Sequence, residues 1–106
     1  MVPSPASGAW PKTPVYLLTA PRTFSACEHV AFALKRTHRA TLIGETTGGG
    51  GHFGEGKDLG AHLSVFVPFG RTYDPDTGRD WEGHGVTPDI AVPAEAALNK
   101  ALSLIP

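Results

Sequence analysis

The stretch that decides the fold is residues 23–51, TFSACEHVAFALKRTHRATLIGETTGGGG. Its apolar residues after Ser25 recur at intervals of three and four positions: Ala26, Val30, Ala33 and Leu34. This spacing predicts a helix with one buried face over residues 25 to about 36. The run Thr41-Leu42-Ile43 suits a buried strand and is too short for a helix, and four glycines follow it. The stretch therefore predicts a helix, a strand and a glycine loop in succession.

The residues before this stretch complete a βαβ unit. Pro14 opens the apolar run VYLLTA at residues 15–20, which is typical of a strand buried on both faces of a parallel sheet. Pro21 ends the run. We expect the strands at about 15–20 and 40–44 to be parallel, with a right-handed crossover through the helix.

Beyond the second strand, the pattern predicts a loop and several short strands. Residues 45–60 have the composition of a long glycine loop, and loops of that length are often functional. Residues 61–67 alternate apolar and polar side chains, which predicts a strand with one buried face. Residues 74–78, DPDTG, form a turn by composition, which we expect to link short strands near 70–73 and 79–81.

Both ends of the chain give simple expectations. Pro93 suits the first position of a C-terminal helix, and the apolar residues that follow are spaced for one buried face: Ala94, Ala97, Leu98, Ala101, Leu102 and Ile105. Residues 1–13 are small, polar and proline-rich, so we expect a flexible N-terminal segment before one domain over residues 14–106.

Composition narrows the functional classes. A chain of 106 residues with 41% hydrophobic and 18% charged residues is sufficient for one small globular domain. The net charge of −1 gives no electrostatic case for nucleic-acid binding. No apolar run approaches the ~20 residues of a membrane span, and the first residues do not resemble a signal peptide. With Cys27 as the single cysteine, no internal disulfide can form and no redox compartment can be inferred.

Ser25 has two interpretations. Ser25 and Glu28 have the spacing of a capping box, and caps are much commoner than nucleophiles, so chemistry alone favours a cap. However, a hydroxyl at a helix N-terminus also lies among free backbone N–H groups and the positive end of the helix dipole. An attacking oxygen, or the oxyanion that it generates, would be stabilised there.

Three motifs favour the second interpretation. They read T-x-S-A-x-E from Thr23, R-A-T-L-I-G-E-T-T-G-G-G from Arg39 and W-E-G-x-G-V-x-P-D-I from Trp81. In this order they resemble the tail-specific (C-terminal processing) serine peptidases, in particular the interphotoreceptor retinoid-binding protein-like and tricorn-like branch. The resemblance runs from about Pro14 to the C-terminus. It implies an α/β fold: a βαβ unit in a mixed sheet with helices packed on it, resembling the C-terminal half of a ClpP/crotonase-like peptidase domain.

The resemblance also implies roles for individual residues. Ser25 corresponds to the nucleophile, and the backbone N–H of Ala26 would contribute to the oxyanion hole. The tail-specific branch has a lysine base within G-E-x-T-x-G-K, where this chain has Gly50, so a Ser–Lys dyad is not available. In the tricorn-like branch the base is a histidine in sequence that this chain does not contain, and Glu82 matches the glutamate that completes the constellation.

Two histidines are alternative bases. His52, in the expected loop, could approach Ser25, and His84 lies beside Glu82. Each could equally be an exposed loop histidine, and Glu82 could be a loop carboxylate bonded to backbone N–H groups. We expect the loop glycines to lie near the site: Gly48, Gly49 and Gly50.

Other chemistries are less well supported. Cys27 is an alternative nucleophile at the helix start, or a small buried residue. No residues have metal-ligand spacing and the glycine run lacks the G-K-[ST] ending of a phosphate loop, so we expect neither metal nor cofactor.

The sequence therefore predicts a serine-type peptidase that acts on a peptide or protein by acyl transfer through Ser25. We expect these 106 residues alone to be incompetent, because the general base is missing. A non-catalytic module for an apolar, retinoid-like ligand, or an assembly fragment of the same fold, is the alternative. Self-association or pairing with a missing N-terminal half is expected in either case. Only the resemblance bears on localisation, and it implies a periplasmic or exported protein.

Overall fold

The structure, a computed structural model, describes residues 12–106, so most of the expected flexible segment lies outside the described residues. Its elements, in chain order, are β1 (Tyr16–Thr19), α1 (Ala26–Arg36), β2 (Thr41–Gly44), β3 (His52–Gly60), β4 (Leu63–Arg71), β5 (Ile90–Ala91), a 3-10 turn (Ala94–Ala96) and α2 (Ala97–Ser103). They form a three-stranded sheet, a separate two-stranded ribbon and two helices. This is the mixed α/β architecture that the sequence predicts.

The three-stranded sheet has the order β1-β2-β5, and all of its strands are parallel. Leu17 of β1 is aligned with Leu42 of β2, and Ile43 of β2 is aligned with Ile90 of β5. The predicted βαβ unit is thus confirmed, with α1 connecting two parallel neighbours. The aspartate of the P-D-I motif supports the same sheet, since the Leu42 N–H donates to Asp89 Oδ2 at 2.8 Å.

The core lies on both faces of β2. Leu42 and Ile43 are consecutive and fully buried, so their side chains point to opposite faces of the sheet. Leu42 packs with Ala31 of α1 and with Trp81 and Val86. Ile43 packs with Ala97 and Ala101 of α2. Each of these two side chains contributes about 1.5–3 kcal/mol by burial, and together they fix a helix on each face.

The expectation of a long loop over residues 45–60 is wrong in its second half. Residues 45–51 remain irregular, but His52–Gly60 is strand β3, paired antiparallel with β4. One of the glycines that indicated a loop, Gly54, instead permits close approach of the two strands. A Cβ on Gly54 would lie 2.2 Å from the Val67 carbonyl oxygen, next to a register shift between Phe53 and Gly54.

The second ribbon strand also differs from expectation. Instead of a strand over residues 61–67 with one buried face, β4 runs to Arg71 and is exposed along nearly its whole length. The ribbon strands pair only with each other within residues 12–106, and nearly all of their residues are exposed. The ribbon exposes seven large apolar side chains: Phe53, Leu59, Leu63, Val65, Phe66, Val67 and Phe69.

The short strands expected beside the turn at residues 74–78 are not formed in the described chain, apart from the end of β4. The turn itself is present, because the Asp74 N–H donates to the Arg79 carbonyl at 2.8 Å and the Gly78 N–H donates to the Asp74 carbonyl at 2.7 Å. Helix α1 holds the turn through an ion pair between Arg36 Nε and Asp74 Oδ1 at 2.7 Å.

The C-terminal helix begins later than expected and is only partly covered. A 3-10 turn follows Pro93, and α2 starts at Ala97. Ala97 and Ala101 are buried, but Leu98 and Leu102 are 56% and 55% exposed. The two leucines of the predicted apolar stripe, which have larger side chains than its alanines, are therefore mostly exposed. Neither α1 nor α2 is long and apolar enough to cross a membrane, and residues 12–106 contain no other helix that is.

Candidate active site

Ser25 is the N-cap of α1, as predicted, but its backbone conformation is unusual for a cap. It follows β1 through a tight turn in which the Thr23 N–H donates to the Ala20 carbonyl at 2.9 Å. Ser25 has φ 54° and ψ −117°, whereas N-cap residues usually adopt extended angles. A non-glycine residue with positive φ costs on the order of 1–3 kcal/mol. Capping alone does not require that strain, which is typical of exposed nucleophiles on sharp strand-to-helix turns.

The helix start leaves a donor free for an oxyanion. Ala26 is exposed, and its N–H forms no hydrogen bond within residues 12–106. It is the first N–H of α1, at the positive end of the helix dipole. Ala26 therefore presents an N–H without a hydrogen-bond partner in the described chain, next to Ser25.

Glu28 is the residue that the sequence analysis underestimated. Its side chain is fully buried and its carboxylate accepts four hydrogen bonds. Oε2 accepts the N–H groups of Ser25 and Gly50, both at 2.8 Å. Oε1 accepts the Thr47 hydroxyl and the Gly49 N–H, both at 2.6 Å. Glu28 thus ties the serine turn to the glycine loop, and its signals in the sequence were the capping-box spacing and the motif T-x-S-A-x-E.

The pKa of Glu28 reflects this environment. Burial raises the pKa of a carboxyl, but here the hydrogen bonds from Thr47, Gly49, Gly50 and Ser25 outweigh it and hold the pKa below its usual value. Glu28 is therefore ionised at neutral pH. Its charge lies in the first turn of α1, where the helix dipole favours it.

Thr47 extends the same network to the last motif of the sequence. Its hydroxyl accepts the Val86 N–H at 2.7 Å, and its own N–H donates to the Val86 carbonyl at 3.1 Å. The close approach also explains Gly85, where a Cβ would lie 2.1 Å from the Thr47 carbonyl oxygen. The segment that contains Glu82 is thus fixed against the glycine loop.

One cleft brings together most of the predicted site. It has a volume of about 550 Å³ and is lined by Phe24, Ser25, Gly49, Gly50, His52, Phe53, Gly54, Phe66, Pro68 and Glu82. A smaller adjoining cleft adds Ala26 and His29 to Ser25 and His52. Three aromatic rings and a proline make one wall of the main cleft apolar, so it suits an apolar group next to the serine.

Glu82 is held by backbone donors. Its Oε2 accepts the N–H groups of Gly51 at 2.6 Å and His52 at 2.8 Å, as the alternative interpretation of this residue anticipated. Its other oxygen, Oε1, lies 3.8 Å from His52 Nδ1. Glu82 is thus both a loop anchor and a neighbour of the candidate base.

His52 begins strand β3 and is not a residue of an irregular loop. Its Nδ1 faces Glu82 at 3.8 Å, and its Nε2 faces Asp80 Oδ2 at 3.9 Å. Among the described residues, no hydrogen bond joins either ring nitrogen to Ser25. The structure therefore places His52 in the cleft without an assembled serine–histidine pair.

Gly48 and Gly50 lie beneath the Phe24 ring. A Cβ on Gly50 would lie 2.3 Å from Phe24 Cζ, and one on Gly48 would lie 2.7 Å from Phe24 Cδ2. A side chain at position 50, where the tail-specific branch has lysine, would require the Phe24 ring to move. The Gly50 carbonyl is fixed as well, because it accepts Trp81 Nε1–H at 2.9 Å.

The remaining candidates lie apart from the serine. His84 Nε2 is 3.0 Å from the Asp80 carbonyl oxygen and is not among the residues that line the Ser25 cleft. Cys27 is exposed rather than buried and lines a different cleft. His29 stacks on Trp81, with 5.7 Å between ring centroids. No group of residues in the described range could hold a metal ion.

Comparison with known proteins identifies the class. The family model of Peptidase family S41 matches residues 4–92, so this chain belongs to that family. It is similar to a solved structure of the photosystem II D1 C-terminal processing protease, with 35% sequence identity and a TM-score of 0.66. The match covers 80% of this chain and 22% of the protease, so the chain spans less than a quarter of that protein's length. The resemblance inferred from the three motifs is confirmed.

Proposed function

We propose that this chain carries the nucleophile of a serine-type peptidase and that Ser25 attacks the carbonyl carbon of a peptide bond. The observation that supports this most is the strained Ser25 at the start of α1, exposed in a cleft that also contains His52 and Glu82. Capping does not explain the strained backbone of Ser25, whereas presentation of the serine hydroxyl to the cleft does. Membership of a peptidase family agrees with it.

In this proposal the reaction is acyl transfer. Ser25 Oγ bonds to the carbonyl carbon while its proton passes to a base, and the oxyanion is stabilised by the Ala26 N–H and the α1 dipole. His52 is the base that the described residues offer, and Glu82 would stabilise the imidazolium that forms. The proton then goes to the leaving amine, and water hydrolyses the ester on Ser25.

We also propose that the 106 residues alone are not a competent peptidase. His52 faces Glu82 and Asp80 rather than Ser25, and Gly50 occupies the position of the family's lysine. A serine without an aligned base is a weak nucleophile, and loss of general base catalysis costs on the order of 10²–10⁴ in rate.

Covalent labelling tests the nucleophile independently of turnover. We expect a fluorophosphonate to label the full chain slowly, at Ser25, with no labelling in Ser25→Ala. Ser64→Ala is the matched control, because Ser64 is also exposed but lies on β4 in extended conformation. Labelling that persists in Ser25→Ala would refute the nucleophile. Peptide hydrolysis by the wild-type chain that is lost in Ser25→Ala would refute the proposed incompetence.

A second function is favoured by a different cleft. About 480 Å³ in volume and mostly apolar, it is lined by Leu17, Leu18, Arg22, Thr23, Cys27 and Val30. Such a cleft suits an apolar ligand, so a non-catalytic binding module is the alternative proposal. Titration with a fluorescent fatty acid separates the two functions. The alternative requires binding that Val30→Asp abolishes and Ser25→Ala preserves, and absence of binding by wild type would dismiss it.

A further inference from the structure

Asp80 is a polar residue beside the cleft to which neither the motifs nor the family match assigns a role. Its side chain is 12% exposed and joins three segments of the chain. Oδ1 accepts the Glu82 N–H at 3.1 Å, and Oδ2 accepts Arg71 Nη1–H at 3.0 Å. The same Oδ2 lies 3.9 Å from His52 Nε2. Asp80 therefore fixes the backbone of Glu82 and faces the candidate base His52.

His52 lies between two carboxylates. Glu82 Oε1 faces Nδ1 at 3.8 Å and Asp80 Oδ2 faces Nε2 at 3.9 Å. A neutral imidazole has one N–H and one bare nitrogen, so the two carboxylates compete for the same proton. The competition decides which ring nitrogen can accept a proton from a serine.

Arg71 makes the competition unequal. His52 and Arg71 are cross-strand partners at the base of the ribbon. The Arg71 guanidinium bonds Asp80 on one side and lies 4.8 Å from the centre of the Tyr73 ring on the other. Glu82 Oε1 has no such cation beside it in the described chain. Asp80, whose charge Arg71 partly neutralises, is thus the weaker acceptor for an imidazole N–H.

The charged side chains that face His52 are therefore those of Asp80 and Glu82, and Arg71 bonds to Asp80. Burial raises the pKa of Asp80, but the Glu82 N–H and the Arg71 guanidinium outweigh it and hold the pKa below its usual value. Asp80 is thus ionised at neutral pH.

We propose that Asp80 is a positioning residue: paired with Arg71, it directs the His52 proton to Nδ1, beside Glu82, and leaves Nε2 bare. A bare Nε2 with Nδ1–H facing a carboxylate is the arrangement that a general base needs. This inference rests on the proposed function only in giving His52 the role of base.

Long-range ¹H–¹⁵N NMR of the full chain reads the tautomer of His52 without any turnover. We expect mainly the Nδ1–H tautomer in wild type. Arg71→Gln removes the cation beside Asp80, and Glu82→Gln removes the negative charge that competes with Asp80 for the His52 proton. Both variants should therefore raise the ratio of the Nε2–H tautomer to the Nδ1–H tautomer. We expect a rise of about threefold or more, the scale of one charge at roughly 4 Å. Asp80→Asn should lower it.

Asp76→Asn is the matched control, because Asp76 is an exposed aspartate paired with Arg36 on α1 and should leave the ratio unchanged. An intact amide spectrum shows that each variant folds, and Arg71→Gln tests the inference even if Asp80→Asn does not fold. A wild-type ring mainly in the Nε2–H form, or an unchanged ratio in folded Arg71→Gln, would overturn the inference. Failure of Ser25 labelling would overturn the peptidase proposal alone.

Discussion

Replacing Glu28 by glutamine changes one atom at the junction between the serine turn and the glycine loop. Each oxygen of the carboxylate accepts two hydrogen bonds. The glutamine amide keeps one acceptor oxygen, and its NH₂ group faces two former donors. The Thr47 hydroxyl can accept from the NH₂ group but the Gly49 N–H cannot, so one buried N–H is left unsatisfied and the remaining hydrogen bonds lose the charge of their acceptor.

The structure gives a magnitude for this change. An unsatisfied buried donor costs about 1–3 kcal/mol, so we expect Glu28→Gln to lower the free energy of unfolding by about 2–4 kcal/mol. That is a large fraction of the 5–15 kcal/mol typical of a domain. Urea unfolding followed by far-UV circular dichroism measures it. Fluorophosphonate labelling at Ser25 should fall in the folded fraction, because the serine turn loses its tether.

Glu55→Gln is the matched control for this experiment. Glu55 is 57% exposed on β3 and pairs with Lys57 at 2.8 Å, so its replacement should change stability by less than about 0.5 kcal/mol. If Glu28→Gln were as stable as Glu55→Gln, the assignment of Glu28 as the tether between the serine turn and the glycine loop would be incorrect.

Three further predictions concern acid stability, the ribbon and assembly. Because the folded-state pKa of Glu28 lies below its usual 4.5, its stabilisation is present above pH 4.5 and is lost as the pH falls through the folded pKa. The stability gap between wild type and Glu28→Gln should shrink over that range, and a gap that stays constant would contradict it. Gly54→Ala should increase amide exchange in the ribbon, because its Cβ would clash with a backbone carbonyl, whereas Gly56→Ala meets nothing within 4 Å and should not; equal exchange in both would contradict the close approach. We expect the chain to self-associate through its exposed apolar surface, and lysine at both Leu98 and Leu102 should lower the mass measured in solution; a monomeric wild type would contradict this.

The sequence predicted the βαβ unit because its signals are local. The apolar spacing of α1 and the short apolar runs around it depend on neighbours a few residues apart, and Leu42 and Ile43 are buried as such runs require. The position of Ser25 at the helix start was likewise readable from the capping pattern. Its positive φ was not, because nothing in the residue types of a capping box indicates backbone strain.

The sequence misled where glycine was abundant. Gly54, Gly56 and Gly60 lie within or at the end of β3, and glycine is depleted in strands, so composition indicated a loop. The pairing with β4 depends on contacts across the ribbon that no short window contains. The apolar alternation of β4 was read correctly as a strand, but it does not reveal whether a covering layer is present.

The site could be predicted only through the family motifs. Ser25, Ala26, Gly49, Gly50, His52 and Glu82 do line two adjoining clefts. The carboxylates that organise them were missed in part: Glu28 reaches Thr47, 19 positions away, and Asp80 reaches the base of the ribbon. Such bonds are set by tertiary packing, and a carboxylate in sequence does not show which distant donors it will accept.

The most direct test of the central claim is the structure of the fluorophosphonate adduct. We expect phosphorus bonded to Ser25 Oγ, with the phosphonyl oxygen within about 2.7–3.1 Å of the Ala26 N–H and the alkyl chain along the aromatic wall of the cleft. Phosphorus on another residue would refute Ser25 as the nucleophile. An adduct on Ser25 whose phosphonyl oxygen points away from the start of α1 would contradict the proposed stabilisation of the oxyanion by the Ala26 N–H.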